Sequence, residues 1–149
     1  MRLILIFLAV AVVAGCQKDK FTTKPQLKIK SINSTDISGA DVLQITINIT
    51  DKEGDYSSFF AIKKTIANCP AGNYIDSSSK FSIPQGFLDT KKNEGDIIIA
   101  LDKKDRGANF CSGPGGSVKI DTAIFSFWTR DLAGNKSDTV YTQPIIIRN

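Results

Sequence analysis

The chain has 149 residues, with 19 Lys and Arg against 15 Asp and Glu, and it contains no histidine. Without histidine no Ser–His or Cys–His pair can form, which removes the common routes to an activated nucleophile. The basic excess is small and dispersed, with no Lys/Arg run longer than two residues, so nucleic acid is not expected as a partner.

In chain order, Met1-Arg2 supplies a positive start and Leu3 to Val13 is continuously apolar. That run is too short to cross a hydrocarbon core of roughly 30 Å as a helix, but it suits the apolar region of a secretory signal peptide. Small residues Ala14 and Gly15 follow, and then Cys16. Val13-Ala14-Gly15-Cys16 resembles the lipobox of bacterial lipoproteins. The resemblance implies cleavage before Cys16, a diacylglycerol on its thiol and an acyl chain such as palmitate on its new amino terminus. Gln17-Lys18-Asp19 is similar to the short export signal of Bacteroidetes-type lipoproteins. That likeness implies an anchor in the outer membrane, with the domain facing outward. The expected organisation is a signal peptide at 1–15, a lipidated linker at 16–26 and one domain at 27–149.

With Cys16 lipidated, Cys69 and Cys111 remain in an oxidising compartment, where a disulfide is the default expectation. Closing that loop stabilises a fold by roughly 4 kcal/mol in the chain-entropy model. Two cysteines without histidine cannot complete a tetrahedral zinc shell.

From Lys24 onward the pattern alternates with period two between turns rich in Gly, Asn, Asp and Pro. Strands are predicted at Leu27 to Ile32, Val42 to Thr50, Ser58 to Ile66, Lys80 to Ile83, Ile97 to Leu101, Lys119 to Arg130 and Ser137 to Ile147. The clearest is the second, where Leu43, Ile45, Ile47 and Ile49 alternate with Gln44, Thr46 and Asn48. Pro144 favours an edge position for the last. The ending FSFWTRDLAGNKSDTVYT resembles the final hairpin of immunoglobulin-like and fibronectin-type-III-like domains, with Asp131 and Ala133-Gly134-Asn135 at the matching turn. The expectation is therefore an all-β fold: a single seven-stranded antiparallel immunoglobulin-like β-sandwich after a cleaved signal peptide.

Alternating strand directions place the turns after the second, fourth and sixth strands at one end. Cys69 and Cys111 both fall at the other end, where they could meet. The first end gathers Asp51, Glu53 and Asp55, then Asp89, Glu94 and Asp96, then Asp131 and Asn135. Oxygen ligands converging from loops suit calcium, which takes six to eight of them, and Asp51, Asp55, Asp131 and Asn135 are the candidate set. The same residue types are ordinary turn formers, and DKEGD lacks the full spacing of an EF-hand loop. Ala123, Phe125 and Phe127 share one face of their strand and Trp128 and Arg130 the other; the fibronectin-like resemblance implies that the first faces inward, which sets Trp128 and Arg130 on the outer face as a candidate contact for a glycan or protein. The alternative is that a loop or the N-terminal segment covers Trp128. A small sandwich offers little cleft for carboxylate-pair chemistry, so no enzyme is expected. Apart from calcium no cofactor is expected. The sequence thus reads as a lipid-anchored, non-catalytic binding or structural module of the bacterial cell envelope. Its partners are membrane lipid through Cys16 and an envelope protein or a glycan; the glycan case would make it an accessory lipoprotein of the outer-membrane surface.

Overall fold

The computed structural model describes residues 22–66, 69–70, 73–76, 81–105 and 120–148. The expected signal segment at 1–15, Cys16 and Cys111 lie outside the described residues, as do Lys80 and most of the long Gly-rich connection before Ile120. The described chain is all-β apart from one short helix, as the alternation predicts. No helix among the described residues is long and apolar enough to cross a membrane.

The strands are β1 (Gln26–Ile32), β2 (Asp36–Ile37), β3 (Leu43–Thr50), β4 (Ala61–Ile66), β5 (Tyr74–Asp76), β6 (Glu94–Leu101), β7 (Asp121–Trp128), β8 (Val140–Tyr141) and β9 (Ile145–Ile147). A helix, α1 (Gln85–Asp89), lies between β5 and β6. One sheet runs β1-β3-β6; the other runs β2-β9-β7-β4-β5, with β8 also paired to β7.

Period two explains the core. Leu43, Ile45, Ile47 and Ile49 of β3 are fully buried, whereas Gln44 between them is exposed. On β7 the buried set is Ala123, Phe125 and Phe127, and on β6 it is Ile97, Ile99 and Leu101. Residues from both sheets join one hydrophobic cluster, so each sheet covers the apolar face of the other. Each such Ile or Phe contributes about 1.5–3 kcal/mol on burial, which makes a one-residue register slip prohibitive.

The described residues form nine strands rather than the seven expected, the short β2 and β5 being additional, and three further features differ from the sequence expectation. The second sheet is mixed, because β2 pairs in parallel with β9. This short strand also covers the edge that Pro144 was expected to mark: Ile146 N–H donates to Thr35 O and Arg148 N–H to Ile37 O. The predicted final strand is broken in two, since Pro144 has no N–H for the ladder. Thr142 occupies the break instead, its Oγ1 accepting from Phe125 N–H at 3.0 Å. Finally, the predicted strand ending at Ile83 is represented among the described residues by a single bridge, Phe59 to Ser82. Its apolar residues still reach the core, Phe81 and Ile83 being buried.

Candidate functional site

The turns predicted to share one end do meet there. Asp51 N–H donates to Asn93 O at 2.9 Å, Leu132 N–H donates to Asp55 O at 2.8 Å, and Tyr56 bridges to Asp131. The loop after β3 is thereby tied to the turn before β6 and to the turn after β7. Gly54 makes the close approach feasible. It has φ +64°, and a Cβ there would stand 2.6 Å from Lys91 O. The Asn93 side-chain amide donates to Lys52 O on the same contact.

Of the predicted calcium set, only Asp51 and Asp55 come together. Glu53 joins them, and one carboxylate oxygen from each of the three lies within 4.8 Å of the others. Asp131 and Asn135 satisfy each other instead. The Asp131 carboxylate accepts from Asn135 N–H and from its Nδ2, both at 2.7 Å, closing the tight turn that the sequence suggested. Asp96 is drawn away to the outer face of the three-stranded sheet, where Lys30 and Asn48 hold its pKa below the usual carboxylate range. Asp89 accepts from Gln85 on α1.

Asp51 is 0% exposed, and neither of its carboxylate oxygens has a hydrogen-bond partner among the described residues. Its carboxyl is pushed up to about 6, first by burial and then by the Asp55 carboxyl beside it. The buried Tyr56 hydroxyl is also unpartnered, and burial and then the charge of Asp51 push it upward too. Tyr56 was not a candidate in the sequence. Its ring packs 5.5 Å from that of Phe87 on α1.

The second candidate region is the outer face of β4, β7 and β8. Trp128 lies on that face as the alternation predicts, half-buried, with the Lys136 ammonium 4.8 Å from its ring centroid. Arg130 is exposed and donates to Gly134 O at 2.8 Å. Trp128 separates two surface depressions. One, of about 450 Å³, is lined by Ser57, Phe59, Thr129 and Arg130; the other, of about 350 Å³, by Lys63, Ile124, Lys136 and Tyr141. Both are open depressions, and Trp128 lines each of them.

At the opposite end Cys69, just past β4, is half-buried against the core and is not a free thiol. The predicted partner, Cys111, falls outside the described residues. Comparison with known proteins finds no matching family model, no matching curated protein and no matching solved structure.

Proposed function

We propose that this chain is a lipid-anchored, non-catalytic binding module of a bacterial cell envelope, held in the outer membrane through acylated Cys16. The domain is read as an immunoglobulin-like sandwich. In support, β1-β3-β6 and β9-β7-β4 reproduce the strand neighbours of its two sheets, with β5 extending the second. The lack of histidine supports a non-catalytic role.

The single observation that carries the binding role is Trp128, which lines both depressions on the outer face of the six-stranded sheet. It also favours a glycan as the occupant. A sugar ring presents C–H groups to an aromatic face, and Ser57, Lys63 and Lys136 offer polar groups on either side. An envelope protein is the other class of partner, for which Trp128 and Tyr141 would act as anchors. A glycan array with the wild type and Trp128→Ala separates the two. Hits lost in the variant support the glycan reading; an array blank for both proteins would contradict it and leave the protein partner.

A further inference from the structure

We propose that the loop from Asp51 to Asp55 is a calcium site, with the Asp51, Glu53 and Asp55 carboxylates as ligands and the Tyr56 hydroxyl at its inner edge. The donor set is all oxygen, which selects a hard cation over zinc or copper. Donor atoms spanning no more than 4.8 Å can be bridged by a cation with bonds of about 2.4 Å.

Proximity of acids alone would not carry this, because exposed acidic turns are common. The independent observation is Asp51, a side chain with no exposure that places an oxygen in the cluster and has a hydrogen-bond partner for neither of its two. A buried carboxylate is tolerated when it is paired or coordinated. The side chains acting on Asp51 are Asp55 and Glu53, both acidic; the Glu53 backbone N–H favours the charge from nearby but does not meet hydrogen-bond geometry. Two species can then neutralise it: a proton or a metal ion. A proton on Asp51 would still leave the Glu53 and Asp55 carboxylates within 4.8 Å of each other. A divalent cation would offset two of the three carboxylate charges at once.

The backbone is already arranged for this. Gly54 in its left-handed conformation turns the loop so that side chains at alternate positions converge, and Asn93 and Leu132 clamp its two ends. Water would fill the remaining coordination positions, as it commonly does at calcium sites of external protein modules, whose dissociation constants are on the order of 10⁻⁴–10⁻³ M.

The test uses the purified protein freed of metal with a chelator, followed by calorimetric titration and thermal melting with calcium chloride. One calcium should bind per chain, and the melting temperature should rise at about 5 mM calcium. Glu53 is exposed, so Glu53→Gln should leave the fold intact and weaken binding by about tenfold or more. Asp51→Asn should abolish the rise. An unchanged wild-type melting curve, an undiminished affinity in Glu53→Gln, or an equal response to magnesium would overturn the assignment.

Discussion

Asp51 shows what a single side chain can demand of its surroundings. In metal-free protein its carboxyl has a folded pKa of about 6 against an ordinary value of 3.8, because burial and the neighbouring Asp55 disfavour the charge. The folded state therefore binds the proton more tightly than the unfolded chain does. The contribution of Asp51 is fully present below about 3.8 and is lost as pH rises through about 6. Metal-free wild type should lose melting temperature across that window by more than Asp51→Asn, which has no proton to lose. Parallel melting curves for the two proteins would contradict this.

Residue roles were legible where they followed from alternation. Period two sets Phe125 and Phe127 on one face and Trp128 on the other, the fibronectin-like resemblance implies which is inward, and Phe125 and Phe127 are buried while Trp128 is half-buried. Lys64 follows the same rule against expectation, since it shares the inward face of β4 with Ile62 and Ile66 and is 1% exposed. Which acids would cluster was not legible. DKEGD announces a turn, but the convergence of Asp51, Glu53 and Asp55 depends on the Gly54 conformation and on the backbone from Lys91 to Asn93, far away in sequence.

Elements were legible in proportion to their length. β3 and β7 each bury four or more residues in a periodic pattern, enough to read without a structure. β2 has two residues and β5 three, too few to show a period, and both exist because a longer strand offers an unpaired edge. α1 is five residues long and opens directly after Pro84, so it carries no helical repeat. Its value lies in packing: Phe87 lies over Gly95, where a Cβ would meet the ring at 2.1 Å. At this scale belongs the predicted bridge between the connection after β4 and the one after β6. Digestion without reduction should yield a joined Cys69–Cys111 peptide, and Cys69→Ser should cost roughly 4 kcal/mol in chemical denaturation. Recovery of two alkylatable thiols from envelope-purified protein would remove the bridge.

For the molecule as a whole, the entry of the chain into the domain matters most. Thr22 O accepts from Lys52 N–H at 3.0 Å, and Lys24 pairs with Asp138 at 2.7 Å, so the segment before β1 is tied to the acidic end. About six residues then separate Thr22 from Cys16, which can extend at most about 21 Å. If Cys16 carries the lipid, the Asp51 loop sits close to the bilayer while the Cys69 end projects away from it. This arrangement depends on acylation of Cys16. The decisive measurement is the mass of the N-terminal peptide from protein extracted out of membranes, taken for wild type and Cys16→Ala. The account predicts a wild-type peptide that begins at Cys16 and carries acyl chains, and a variant that stays unprocessed or leaves the membrane fraction. An unmodified wild-type N-terminus, or a variant that keeps both the mature mass and the membrane, would contradict it.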